Sequence, residues 1–370
     1  MTVSTKQPAS LVMPSLVAEL LKVEADLVVT ITAPLDRRRP NNDQDRIRLR
    51  NLFTDARSQV REAAREEVAT AILRRLDAAL AGVDMSGGAH GVIIVATAEW
   101  SDTHLLSFPV RSAVALGPTP ATRFLVQGLR RSPRYRLLVI SDRATRLFEA
   151  VRDELTEVTD HGFPFTADIV PRDLRAIAGR FAQPTGRDDK EQWRNFYRSV
   201  DLAVTQAGRG DELPLVIAGV KRSTSLYEKV SRNAHLVIGR IDGAHDHSSA
   251  HELGQAAWPI LRDHLKARRG EAVRRLSEAF HSDHAVVGLD DAWRAMRQGR
   301  GHLLVVEEDY RGTPVREDAG RLVPADDLGP NVLSDPVDEL IEHVVRAGGA
   351  VEFVAADALA DIGRIGLILR

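Results

Sequence analysis

The sequence predicts an α/β protein, and three observations carry that prediction. Short β-branched runs such as Leu27-Val28-Val29-Thr30-Ile31-Thr32 and Leu213-Pro214-Leu215-Val216-Ile217-Ala218-Gly219 are bounded by turn residues, as strands are. Longer stretches between them repeat apolar residues at three- and four-residue spacing, the period of an amphipathic helix. The chain has 370 residues, 44% hydrophobic and 28% charged, which suits two or three globular domains.

The first part spans 1–132. After the strand at 27–32, Pro34 and the segment Asp36-Arg37-Arg38-Arg39-Pro40 break the chain. From Asp45 to Ala81, Ile47, Leu52, Phe53, Ala56, Val60, Ala64, Val68, Ile72, Leu76 and Leu80 predict one long helix, closed by Gly87-Gly88. Gly91–Thr97 and Thr103–Phe108 then read as strands.

The second part spans 133–270. Tyr135–Ser141, Ala144–Glu149 and Leu155–Thr159 read as successive short strands. The polar stretch His161–Lys190 shows no clear period and is expected to be a long loop. A helix at Trp193–Val204, a strand at Leu213–Gly219, a helix at Ser223–Ser231 and a strand at His235–Gly239 follow. A helix from Ser249 to Lys266 opens on Ser249-Ala250-His251-Glu252, a capping box in which each side chain satisfies the other residue's backbone amide.

The third part spans 271–370. Asp335 suits an N-cap, Pro336 the first helical position, and Asp338 the first turn, where the helix dipole favours an anion. Val337, Leu340, Ile341, Val344 and Val345 form one apolar stripe, and Gly348 supplies the left-handed end. With strands at His302–Glu307, Val351–Val354 and Ile365–Leu369, this part is expected to be an α/β/α sandwich.

Composition excludes several classes. There is no cysteine, so disulfide frameworks, thiolate zinc sites, iron–sulfur clusters and cysteine nucleophiles are ruled out. The formal charge of −2 excludes a globally basic coat but leaves local basic patches open. Only six of the 50 basic residues are Lys, the rest being Arg. No run is long and apolar enough to span a bilayer, and Met1–Pro14 does not read as a signal peptide. No Walker A loop, GxGxxG or GxSxG occurs, so nucleotide binding and serine hydrolysis have no motif behind them.

The pattern Leu303–Val306, Asp335–Ile341, Ala347–Phe353 and Ile362–Arg370 resembles the C-terminal domain of Pelota and of the class-1 release factors of archaea and eukaryotes. The resemblance implies the kink-turn-binding ribosomal-protein fold for this part. Leu137–Ile140, Thr145-Arg146-Leu147-Phe148 and Pro214–Gly219 are similar to strands of the same proteins' central domain. The combination is most similar to the bacterial and archaeal release-factor-related family. Release factors carry a Gly-Gly-Gln tripeptide that presents a backbone amide and a water to the peptidyl-tRNA ester. This chain has Gly87-Gly88-Ala89 and Gly348-Gly349-Ala350 but no Gly-Gly-Gln. The resemblance therefore implies a ribosome-directed architecture without the hydrolytic tip, as in stalled-ribosome rescue or hibernation.

The candidate RNA-binding residues are Arg37, Arg38 and Arg39 in the first loop, and Arg172, Arg175, Arg180, Arg187 and Lys190 in the second. Guanidinium groups bind phosphate through two parallel hydrogen bonds, and loops carry function more often than cores do. Phe163, Phe165 and Phe181 among the second set suit base stacking, although Asp160, Asp168, Asp173, Asp188 and Asp189 offset the charge. Arg46, Arg48 and Arg50 read as solvated helix surface. His245, His247, His251 and Glu252 have residue types that hold metals, but the capping box would put His247 before the helix and separate the pair. Glu307-Glu308-Asp309 reads as a strand-end loop.

Three function classes stand at this point. The first is a non-catalytic, cytoplasmic translation factor binding the A-site region of the ribosome through rRNA and tRNA, with no cofactor, metal, membrane or DNA partner. The second is a hydrolase acting on peptidyl-tRNA or another ester through a different loop. The third is an adaptor for an elongation-factor-like GTPase.

Overall fold

The computed structural model describes residues 14–36, 39–40, 42–85, 89–106, 108–141, 144–166, 187–208, 212–318, 320–325, 332–333 and 335–370. It is mixed α/β, in two compact units. One joins residues 1–131 to 268–370, and the other is 132–267.

The first unit contains an antiparallel sheet of β1 (Val28–Pro34), β2 (Gly91–Ala96), β3 (Ser101–Leu106) and β4 (Ala113–Gly117), in the order β3-β2-β1-β4. Strand side chains alternate between faces, and the alternation assigns each face a partner. Val29, Ile31, Ala33, Val92, Ile94 and Ala96 pack on α2 (Asp43–Ala63) and α3 (Glu66–Gly82). These two helices replace the single helix expected from Asp45 to Ala81. The chain turns extended at Ala64 and Arg65. A straight 37-residue helix would run about 55 Å, whereas a seven-residue strand spans about 23 Å. Folding back lets both halves of the stripe cover one sheet.

Val28, Ile93, Val95 and Leu106, on the opposite face, share one core with Trp293, Leu304, Leu340 and Phe353. That core binds the N-terminal sheet to a second sheet made of β11 (Ala285–Val287), β12 (Gly301–Glu307), β16 (Ala350–Val354) and β17 (Ile365–Leu369). Its order is β11-β17-β12-β16, with β12 and β16 parallel. Leu304, Val306, Val351 and Leu367 meet α8 (Leu289–Arg297) and α9 (Pro336–Arg346). Leu303, Val305, Val354 and Ile368 meet Ala272 and Leu276 of α7 (Ala250–His281). This is the expected α/β/α layering. A Cβ on Gly366 would lie 2.7 Å from the Leu276 side chain, so the helix packs where a glycine admits it. A small three-stranded sheet is formed by β13 (Val315–Asp318), β14 (Arg321–Pro324) and β15 (Val332–Leu333).

The second unit is built on β5 (Arg134–Ile140), β6 (Ala144–Val151), β7 (Glu154–Glu157), β9 (Leu215–Gly219) and β10 (Val237–Asp242), in the order β10-β9-β5-β6-β7. A two-residue strand, β8 (Phe165–Thr166), adds to β6. Tyr135, Leu137, Val139 and Val216 face Leu253, Ala257 and Leu261 of α7. Leu138, Ile140, Leu215 and Ile217 face α5 (Arg187–Gly208) and α6 (Lys221–Val230). The capping box forms: the Ser249 amide donates to Glu252 Oε2 at 2.8 Å, and the Glu252 amide to Ser249 Oγ at 3.3 Å. The helix it opens continues past Lys266 to His281.

Candidate nucleic-acid interface

The first arginine loop leaves the end of β1 at Pro34 and enters α2. Its stem is organised by Asp45, a carboxylate buried to 3% exposure. Asp45 Oδ2 accepts the Asp36 amide and Asn42 Nδ2, each at 2.7 Å. The Asp45 amide donates to Asn42 Oδ1 at 2.8 Å, which makes Asn42 the N-cap. Asn42 Nδ2 also reaches the Arg39 carbonyl at 2.7 Å. Arg48, expected to be solvated, instead donates to Asp45 and to the Pro34 carbonyl at 2.9 Å. The stem is thus held at both ends, and Arg39 stands exposed at its tip. Arg37 and Arg38 lie outside the described residues.

Of the second set, Arg172, Arg175 and Arg180 also lie outside the described residues. Arg187 and Lys190 fall in the first turn of α5. The structure is specific about the aromatics. Phe163 is buried, and its ring lies edge-on to Phe165 at 5.1 Å. Phe165 meets Phe196 at 6.1 Å, and Trp193 stacks on Tyr197 at 5.7 Å. Phe163 is buried and Phe165 half-buried, so residues 163–166 are packed through these rings against α5, and Phe163 offers no face to a base. The signal for that was Trp193, Phe196 and Tyr197 at i, i+3 and i+4, a stripe that needs something to cover it.

Each residue of the Glu307-Glu308-Asp309 run pairs with an arginine. Arg364 reaches Glu307 at 2.6 Å and Asp309 at 2.8 Å, and Glu308 pairs with Arg131 and Arg269. Burial acts to raise the Glu307 pKa, but Arg364 and the amides of Leu359 and Asp357 outweigh it and hold it below the ordinary value. Among the described residues, no three His, Asp or Glu side chains gather as a metal cluster. His245 Nδ1 instead contacts Ser248 Oγ at 3.2 Å.

Sequence reasoning missed α4 (Arg123–Arg131), whose first turn receives carboxylates from α9. Asp338 accepts the Arg123 amide at 3.2 Å, and Glu342 accepts the Thr122 amide at 3.4 Å and Thr119 Oγ1 at 3.1 Å. Asp338 stands in the first turn of its own helix, as expected, and also serves the start of a neighbouring one. Burial, then like charge nearby, pushes the pKa of Asp338 up and that of Glu342 to about 7. Arg123 is buried and loses basicity first through that burial; Asp335 and Asp338 oppose the shift, and Arg311 and Arg111 add to it.

Residues 134–300 match the model of bacterial archaeo-eukaryotic release factor family 3. No curated protein matches the chain. Among solved structures, the archaeal translation termination factor aRF1 aligns over 96% of both chains at 15% identity, with a TM-score of 0.24. S. cerevisiae Dom34, a termination-like factor of RNA quality control that interacts with Hbs1, aligns over 64% of this chain and 62% of its own, at 11% identity and a TM-score of 0.41. A model of ribosome-bound archaeal Pelota and ABCE1 aligns over 100% and 99% at 11% identity and a TM-score of 0.43. No helix among the described residues is long and apolar enough to cross a membrane.

Proposed function

We propose that this protein is a ribosome-associated translation factor that occupies the A-site region without hydrolysing peptidyl-tRNA, in rescue of stalled ribosomes or in hibernation. One observation carries the reading. A release-factor family model matches 134–300, yet no Gly-Gly-Gln occurs in the 370 residues. The exposed Arg39 on a stem fixed by Asp45 supports it, because a positioned guanidinium contacts a phosphate without first losing loop freedom. In this reading the parts 1–132, 133–270 and 271–370 act as three modules of one cytoplasmic adaptor, and the arginines of the second loop, Arg172 to Lys190, add RNA contacts. An elongation-factor-like GTPase is the expected protein partner.

Sedimentation with purified ribosomes tests this. Co-pelleting is expected at salt of about 50–100 mM and is expected to fall steeply by about 200 mM, because phosphate contacts release counterions. Failure to pellet at the lowest salt refutes it. Release of the peptide from peptidyl-tRNA on these ribosomes would move the protein to the hydrolase class. A pull-down with a translational GTPase examines the partner separately.

A further inference from the structure

The exposed Arg39, Arg111 and Arg311 come from three distant segments of the first unit, and none makes an ion pair among the described residues. Arg111 is anchored through its backbone. Its carbonyl accepts Thr32 Oγ1 at 2.8 Å, two residues before β1 ends at Pro34. A Cβ on Gly91, the register partner of Pro34, would touch the Phe108 carbonyl and Val110 at 3.0 Å, so the 108–111 segment lies tight against that strand end. The loop bearing Arg39 leaves the sheet at the same end.

From Arg111 a shallow groove runs along Phe124 and Gln127 to Arg131, with a volume of about 110 Å³. Pockets for drug-sized ligands measure about 300–1,000 Å³, so this one suits a phosphate group and not a whole cofactor. Arg311 lies 5.7 Å above the centre of the Phe124 ring. Arg123, at the start of α4, is close enough to Arg111 and Arg311 for their like charges to be felt there. Arg123 and Arg131 are already engaged, by Asp335 at 3.4 Å and by Glu308. Arg111 and Arg311 make no ion pair among the described residues, so Arg111 on the groove wall and Arg311 over the Phe124 ring are the guanidiniums there left for an outside anion.

We infer that Arg39, Arg111 and Arg311 form a track for the phosphodiester backbone of RNA, with the Phe124 groove seating one phosphate. A repeating anion is favoured over a single carboxylate because Arg39 and Arg111 rise from the same end of the sheet and Arg311 lies over the Phe124 ring that lines the adjoining groove. The inference deepens the ribosome-directed reading and relies on it only for which RNA is bound.

Fluorescence anisotropy of the full chain with a labelled single-stranded RNA dodecamer, titrated over salt, tests it. Each phosphate contact contributes about 0.7 to the slope of log affinity against log salt. Arg111→Ala with Arg311→Ala is expected to lower the slope by about 1.4. Extrapolated from 1 M, that weakens binding about 25-fold near 0.1 M salt. Arg297→Ala, which removes an exposed arginine paired with Glu317, is expected to leave binding unchanged. All three arginines tested are exposed, and matched melting curves confirm folding. An unchanged slope in the double variant overturns the inference, as does an equally charged polyglutamate that binds the groove where RNA does not; that outcome assigns the track to an acidic protein. Ribosome pelleting is scored separately. Pelleting with no effect of the double variant on RNA affinity sinks the track alone, whereas arginine-dependent RNA binding without pelleting sinks the ribosomal reading alone.

Discussion

Replacing Glu342 by Gln should make the first unit more stable at pH 8 than the native chain, and much less so at pH 5. The carboxylate is buried to 1% exposure on α9, against the start of α4. Burial, then the charge of Glu339, raises its pKa from 4.5 to about 7, while its bonds from Thr119 and Thr122 and the charge of Arg346 only partly oppose them. A carboxylate whose pKa is raised on folding holds its proton longer folded than unfolded. Its contribution is therefore complete below about 4.5 and is lost as pH rises through about 7. The displacement from 4.5 to about 7 costs about 3 kcal/mol at pH 8, at about 1.4 kcal/mol per pH unit, and about 1 kcal/mol at pH 5. Gln keeps an acceptor for the Thr122 amide and never ionises. The difference between variant and native chain should thus grow by about 2–3 kcal/mol from pH 5 to pH 8. In a unit of this size that is a relative rise of about 5–10 °C in Tm. Thermal scans of both proteins in matched buffers at the two values measure it, and the comparison cancels the titrating groups that do not interact with Glu342, leaving Asp338 and Glu339 as the groups that shift with it. Parallel pH profiles for the two proteins would refute the reasoning.

Further predictions concern the frame of each unit. Asp201 is buried and accepts Tyr227 Oη at 3.0 Å, the Arg232 amide at 2.8 Å and Asn233 Nδ2 at 2.9 Å, so Asp201→Ala should cost about 2–4 kcal/mol in urea unfolding. A Cβ on Gly254 would sit 2.1 Å from the Asp153 carbonyl, and Gly254→Ala should cost about 1–3 kcal/mol, visible as a lower Tm for the second unit. Asn42→Ala removes the cap of α2 and should cost about 1 kcal/mol in the same type of measurement on the first unit.

Much of this architecture was legible along the chain because it depends on neighbours in sequence. The stripe Val337–Val345, the cap at Asp335 and the end at Gly348 gave α9 almost residue for residue, and Gly348 does hold a φ of +74°. The Ser249–Glu252 box marked the start of α7 for the same reason. The break at Ala64 was hidden, because a stripe that continues across two helices looks like one helix until the sheet beneath sets the length that can be covered. Phe163 and Phe165 looked available for stacking because sequence cannot say which aromatic meets Trp193 and Phe196.

By itself, the sequence determined the α/β class, most of the strands and caps, and the absence of a Gly-Gly-Gln tripeptide from a chain whose residues 134–300 match a release-factor family model. These rest on local periodicity, backbone preference and residue identity. Tertiary structure alone decided that residues 1–131 and 268–370 share a core, that α9 carboxylates receive the first turn of α4, and that Arg111 and Arg311 approach Arg123. The helix contact joins residues 220 apart in sequence, and Arg311 reaches Arg123 from across a similar separation. Such contacts are selected by which buried faces and charges must be satisfied together, and no spacing along the chain records that.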